Sequence, residues 1–385
     1  MKTYNEIIAE NRAWAEQTFS KVDKKLSAVT LRSRDKLVDG VGPDGKTHKS
    51  TRPEFWTSGF WGGMNVLMYE HTKNEEYLKT AKRSEELLDV ALSNFEGLYH
   101  DVGFMWHILS GALYRLTGDE KSKVRNLYAA ASLQSRYVMD ANFIRAWNGN
   151  VHTEKSIIDC MMNLPLLYFA SDVIGDDRFK QIAVAHADMT LKEHIRPDGS
   201  VIHVVSHDRD TFECTEKGFG QGYAIGSSWS RGQAWAVYGF VISYNHTGDI
   251  KYLDAAKKVA HYFISNVCDD WMAKIDFRAP NEPVYFDNAA SMIAAAGLLE
   301  IAKQVPEYEG GIYANAAINI LKAVSSRFAD YNPDTDVMLG HSSMCYPIPG
   351  LFTVETASVE VPIIYTEYYF VEALLKILGS EFNPW

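Results

Sequence analysis

The sequence predicts an all-α protein: six helical hairpins closed into an (α/α)6 toroid, with long loops on one mouth. Three observations predict it. A corner motif of Gly followed by Asp recurs along the chain. The helices around the corners alternate between amphipathic and nearly apolar. The chain offers only six such units, and both ends read as helical, which favours closure over an open α-solenoid with its polar capping repeats. No Pro/Gly/Ser-rich linker divides the chain, so residues 1–385 are expected to form one domain.

Taken in order, residues 5–22 and 57–71 show helical spacing. The corner His71-Thr72-Lys73-Asn74-Glu75-Glu76-Tyr77 leads into another long helix. Residues 104–116 end at Leu116-Thr117-Gly118-Asp119, followed by a helix over 121–139. Residues 156–173 end at Ile174-Gly175-Asp176-Asp177-Arg178-Phe179, followed by 177–194. At such corners Gly ends one helix in a left-handed conformation and Asp or Asn caps the next, with an aromatic packing the turn. Residues 195–229 form a long loop in which Asp198-Gly199-Ser200-Val201-Ile202-His203 predicts a turn and a short hairpin. The helix 230–246 meets 250–266 at His246-Thr247-Gly248-Asp249-Ile250-Lys251-Tyr252. There Leu253, Ala256, Val259, Ala260 and Phe263 share one face and Lys251, Lys257 and Lys258 lie elsewhere. A loop at 267–285, a helix at 286–303, a weaker corner at Val305-Pro306-Glu307-Tyr308, a helix at 312–328, a loop at 331–363 and a helix at 364–378 complete the chain. The long loops are expected to follow the inner helices and to carry function.

The composition narrows the function. With 38 Lys+Arg against 49 Asp+Glu the net charge is −11, which argues against broad nucleic-acid binding. The 18 Phe, 21 Tyr and 9 Trp imply abundant burial and exclude a disordered chain. There is no signal-peptide apolar region and no apolar run of about 18 residues, so neither export nor a membrane partner is expected. Cys160, Cys214, Cys268 and Cys345 are far apart and form no CxxC pair. A cytoplasmic, metal-independent protein without a cofactor is expected, as a monomer or homodimer. No nucleotide fingerprint, P-loop or nucleophile elbow is present.

Four segments break the helical pattern. Phe55-Trp56-Thr57-Ser58-Gly59-Phe60-Trp61-Gly62-Gly63 reads either as a sugar-stacking platform or as core packing. In Tyr99-His100-Asp101-Val102-Gly103-Phe104 the acid is either functional or a helix cap. In Ile157-Ile158-Asp159-Cys160-Met161-Met162-Asn163-Leu164 an acid opens an almost wholly apolar helix. Such surroundings raise a carboxyl's pKa and suit a general acid, a cap being the alternative. In Ser227-Ser228-Trp229-Ser230-Arg231-Gly232-Gln233-Ala234-Trp235 the Arg can clamp a carboxylate beside a stacking Trp, or bridge loops structurally.

Together, in this order, these segments resemble glycoside hydrolase family 88, the unsaturated glucuronyl hydrolases. The resemblance runs from about residue 50 to 378 and includes Tyr368-Tyr369-Phe370 and Glu372-Ala373-Leu374 in the last helix. It implies the same toroid and a substrate with a 4,5-unsaturated uronic acid at its non-reducing end, as lyases produce. It implies Asp159 as the group that protonates C4 and then activates water. Asp101 is implied as a second acid that binds ring hydroxyls and keeps the proton on its neighbour. Arg231 and Trp235 match a substrate-binding pair, and Trp56, His100, Trp147, His203, Lys217, Phe219 and Gln221 match other pocket positions. A related rhamnogalacturonyl hydrolase or an inverting glycosidase on the same toroid is the alternative. Two departures stand out. Residues 341–363 hold Ser342, Ser343 and Ser358 but no Lys or Arg, where some members bind a sulfated sugar. Thr366-Glu367 replaces a Gly-Asp. The aglycone site is therefore expected to differ.

Overall fold

The computed structural model describes residues 2–149, 154–216 and 220–385. Among the described residues twelve helical units alternate between two concentric rings. The inner ring holds α2 (Phe60–Thr72), a π-helix (Gly103–Gly111) running into α4 (Ala112–Thr117), α6 (Pro165–Ile174), α8 (Ser230–Thr247), α10 (Asn288–Gln304) and α12 (Ile364–Leu378). The outer ring holds α1 (Tyr4–Arg32), α3 (Glu75–Leu92), α5 (Glu120–Gln134), α7 (Arg178–Glu193), α9 (Ile250–Val267) and α11 (Glu307–Phe328). Each inner helix packs on the next, and α12 returns to α2. Outside, α1 packs on both α3 and α11, so the first and last hairpins meet. This is the (α/α)6 toroid.

Sequence explains the layering. Along α8 every residue from Ser230 to Ser243 is buried, and α12 is buried from end to end. A helix apolar all round has to sit inside. α9 instead buries one stripe, Leu253, Ala256, Val259, Ala260 and Phe263 among it, and leaves its lysines outward. The corners form as the motif predicts. Gly118, Gly175 and Gly248 take φ of 71°, 67° and 70°, and Lys73 does the same at 57°. Asn74, Asp119 and Asp249 cap the following helices by accepting from Glu76, Lys121 and Lys251 amides.

Several placements differ from the sequence reading. α1 runs to Arg32, because Val22, Leu26 and Val29 continue the buried stripe through a lysine-rich stretch that looks like an end. α5 stops at Gln134 and yields to a small hairpin, β3 (Tyr137–Val138) with β4 (Phe143–Ile144). Residues 156–173 are not one helix. Strand β5 (Lys155–Ile157) passes into a 3-10 turn (Ile158–Met162) before α6 starts at Pro165. The long loops follow the outer helices α7, α9 and α11 and lead into inner ones. The inner-to-outer steps are the tight corners, so every long connection lies at the N-terminal ends of the inner helices.

The opposite end is closed. Arg115 donates to the carbonyls of Asn383 and Pro384 at 2.7 and 2.5 Å and holds the tail there. Trp385 then turns inward beneath the ring. Its indole lies parallel to Tyr369, centroids 5.9 Å apart, meets Phe104 edge-on at 6.1 Å and donates to Glu372 at 3.0 Å. No helix among the described residues is long and apolar enough to cross a membrane.

Candidate active site

The N-termini of the six inner helices converge on the open mouth, and the polar residues of the four irregular segments lie there. Asp101 lies two residues before the π-helix. Asp159 sits in the 3-10 turn between β5 and α6. One residue ties the two segments: Asn163 accepts from the Phe104 amide at 2.9 Å and donates to the Asp159 carbonyl at 3.3 Å. The wide i→i+5 turns of a π-helix are uncommon and concentrate at functional sites.

The two carboxyls feel each other. Each side chain is 14% exposed, open to solvent through the mouth. Burial and then the Asp159 charge push the Asp101 carboxyl well above the ordinary carboxylate range, against the pull of Arg136. Two like charges in one low-dielectric site favour the singly protonated pair.

Each acid has a histidine. His100 Nδ1 donates to the Ala146 carbonyl at 3.1 Å, which leaves Nε2 as an acceptor, 3.1 Å from Asp101 Oδ1 and off hydrogen-bond alignment. Burial holds this ring neutral by pushing its pKa well down. His203 has the opposite tautomer. The Gln221 amide donates to its Nδ1 at 3.0 Å, so the proton is on Nε2, 3.4 Å from Asp159 Oδ1. The strand register explains the placement. Ile157 pairs with Val204 of β6 (Val204–His207), and the Ile158 amide donates to the His203 carbonyl. Gly220 is required beside this ring: its φ is +59°, and a Cβ there would lie 2.0 Å from His203 Nδ1.

Aromatic rings build the walls. Trp56 lies 4.9 Å from Tyr365 and 5.6 Å from Phe104, centroid to centroid, and Trp147 meets His100 edge-on at 6.2 Å. Trp229 covers His203 at 4.2 Å. Its loop is held by the Asp276 carboxylate, which accepts from Ser227 Oγ and from the Tyr223 and Ser228 amides. Trp235 is fully buried against Phe104, in the layer beneath the pocket.

Arg231 is placed differently from a free clamp. It is 1% exposed. Nη1 donates to Asp287 Oδ2 and the Ser343 carbonyl, both at 2.6 Å, and Nη2 donates to the Met344 carbonyl at 2.8 Å. Gln221 Nε2 reaches the same Met344 carbonyl at 2.5 Å. The guanidinium sits over Trp229 and Tyr365, at 4.5 and 5.6 Å from the ring centroids. Arg231 thus knits the mouth loops and lends the pocket wall a positive field already matched by Asp287. Lys217 and Phe219 lie outside the described residues. Asn163, Trp229, Asp287 and Tyr365 were missed as site residues. Asp287 had a usable signal, a capping acid before an apolar helix, and its side chain does accept from the Ala289 amide. Among the described residues no group of three or more His, Cys, Asp or Glu is arranged to hold a metal.

The family model described as Glycosyl Hydrolase Family 88 matches residues 32–277. The chain belongs to this family. It is a glycoside hydrolase. An unsaturated glucuronyl hydrolase from Bacillus sp. (strain GL1) is 34% identical over 338 residues, covering 86% of this chain and 88% of that protein. An unsaturated chondroitin disaccharide hydrolase of Streptococcus pneumoniae is 30% identical over 331 residues, 83% of this chain and 81% of that protein. Among solved family 88 structures, the unsaturated glucuronyl hydrolase of Bacillus sp. GL1 superposes with a TM-score of 0.86 at 31% identity, covering 93% of this chain and 96% of that one. The Streptococcus agalactiae enzyme superposes with a TM-score of 0.87 at 26% identity, over 97% and 94% of the two chains.

Proposed function

We propose that this family 88 enzyme releases 4,5-unsaturated uronic acid from the non-reducing end of lyase-generated oligosaccharides by hydrating the C4=C5 enol ether. The observation that carries the reading is the presence of Asp101 and Asp159 at one open mouth, near enough for the charge of Asp159 to act on the Asp101 carboxyl. The converging helix N-termini supply partial positive charge where a uronate would sit. The relatives' descriptions agree, one solved complex holding an unsaturated uronyl disaccharide.

The uronate's own negative charge strengthens the pair's hold on its proton. Asp159, whose Oδ1 has no hydrogen-bond partner, delivers that proton to C4. Positive charge develops at C5, shared with the ring oxygen, and water adds there. Its proton goes to the Asp159 carboxylate, so one residue is acid and then base, unlike the two-carboxylate displacement at C1. The resulting hemiketal opens to a ketone at C5, and the C1 hemiacetal expels the aglycone as an alcohol. Asp101 binds ring hydroxyls and keeps the pair singly protonated. His203 Nε2–H, 3.4 Å from Asp159 Oδ1 and off hydrogen-bond alignment, closes on that oxygen as substrate binds and so positions Asp159. Trp56 and Trp147 flank the sugar, with Lys217 and Phe219 assigned to the same pocket from the family pattern. In this reading residues 1–385 act as one catalytic domain, and a cytoplasmic setting suits four unbridged cysteines.

The test is the ultraviolet absorbance of the conjugated alkene in unsaturated disaccharides from hyaluronan, chondroitin, heparin, gellan and ulvan. At least one is expected to lose it. A folded preparation that leaves all of them unchanged refutes the activity.

A further inference from the structure

Two hairpins precede β5: β1 (Val38–Val41) with β2 (His48–Ser50), and β3 with β4. Arg136 stands immediately before β3, and the reaction described above leaves it without a part. It is 9% exposed. Its planar fork spans two stretches of chain. Nε donates to the Arg145 carbonyl at 2.9 Å, and Nη1 donates to the Leu98 carbonyl at 3.3 Å and to Asn148 Oδ1 at 2.8 Å. The Arg145 amide donates to the Arg136 carbonyl at 3.0 Å, and Asn148 Nδ2 donates to the Glu96 and Leu98 carbonyls at 2.9 and 3.1 Å. Between these ties the Ala146 carbonyl accepts from both the His100 amide and His100 Nδ1. The acceptors of the guanidinium are neutral, and among the described residues no carboxylate pairs with it. Burying a cation without a counter-ion is costly, so the cost has to be offset by what the residue holds in place.

We propose that Arg136 is a positioning residue of the active site: its fork joins the stretch that ends in His100 and Asp101 to the stretch that carries Trp147, and holds the two as one wall. The proposal rests on the hydrolase reading above, in which Trp147 flanks the sugar and Asp101 binds it. Lysine cannot replace the fork, because an ammonium is a point charge and does not reach two carbonyls and an amide oxygen from one plane. The charge of Arg136 acts on the same wall. Asp159, His100 and Cys160 surround Asp101, and Arg136 supplies the positive charge that draws the Asp101 carboxyl back toward ionisation against burial. Tyr99 and Arg145 complete the titratable groups that act on the guanidinium. Fork and charge can be separated by substitution.

The test compares Arg136→Lys, which keeps the charge and loses the fork, with Arg136→Gln, which loses both. In the alkene absorbance assay both should raise KM about tenfold. Only Arg136→Gln should also move the alkaline limb of kcat/KM to higher pH, since Asp101 then keeps its proton longer. NMR of labelled aspartate carboxyls, assigned with Asp101→Asn, should show the same upward move in the protein without sugar. Asn148→Ala removes one acceptor of the fork and should raise KM with the limb in place, which keeps the idea testable where an Arg136 variant does not fold. Variants that lose stability but keep KM and both limbs of the profile overturn the proposal, and so does Arg136→Lys with a wild-type KM. If the wild-type enzyme leaves every unsaturated disaccharide intact, the hydrolase reading fails instead. The carboxyl titration then still decides: Asp101 moved by Arg136→Gln and not by Arg136→Lys supports the hold of Arg136 on this wall, and Asp101 unmoved by both overturns it.

Discussion

Gly220→Ala tests the contribution of His203 without replacing it. The added Cβ would lie 2.0 Å from His203 Nδ1. Real contacts of this kind do not fall below 3.0 Å, so the ring or the loop has to move by about 1 Å. That movement breaks the Gln221 amide bond that sets the tautomer and swings Nε2 away from Asp159, now 3.4 Å off. A misplacement of that size costs on the order of 100-fold in rate, equivalent to about 2.7 kcal/mol of transition-state stabilisation. The left-handed backbone adds about 1–2 kcal/mol of strain for any residue with a Cβ. Gly226→Ala is the matched control: its φ is +79°, but a Cβ there meets nothing within 4 Å. The alkene absorbance assay gives kcat/KM, and urea unfolding gives stability. Gly226→Ala should lose the strain alone and Gly220→Ala at least as much stability, and only Gly220→Ala should lose about two decades of kcat/KM. Equal activity in the two would refute the idea that His203 positions Asp159.

Asp159→Asn should leave far-ultraviolet circular dichroism unchanged and abolish alkene loss, while Asp101→Asn should lower kcat about 10²–10⁴-fold and move the alkaline limb of the pH profile. Glu367 is pushed up to about 7 by burial, its carboxylate accepting from the Met338 and Leu339 amides. The folded chain therefore binds this proton more tightly than the unfolded one. Stability falls as pH rises from about 4.5 to about 7 and is level outside that window. Glu367→Gln should add about 3 kcal/mol by urea unfolding at pH 8 and little at pH 4. Arg231→Met strands the buried Asp287 carboxylate and should cost about 3–5 kcal/mol. Adding Asp287→Asn should restore at least half, and failure to do so would show that the pair is not the source of the loss.

The ring of hairpins was legible because its signals are local. A left-handed glycine, a capping acid and an apolar period all lie within a few residues, and they recur. Asp159 stood out because an acid at the head of an apolar stretch conflicts with its surroundings, whereas Asp101 read locally as either a cap or a functional acid and was singled out through the family resemblance. What was hidden depends on partners distant in sequence. Strand β5 exists because Val204 lies beside Ile157, 47 positions away in the chain, and nothing local in Lys155-Ser156-Ile157 separates it from a helix start. Arg231 reads locally as a carboxylate clamp, but the carboxylate it holds is Asp287 of its own chain.

The tail carrying Trp385 gives the ring a floor. A vessel with one doorway cannot thread a polymer, so only a chain terminus reaches the acids and internal sugars stay outside. Both fragments of a cleaved chain must leave by the route the next chain uses to arrive. The shorter wait is for whichever fragment holds the doorway less firmly, and an alcohol that lingers beside Trp56 delays the next arrival.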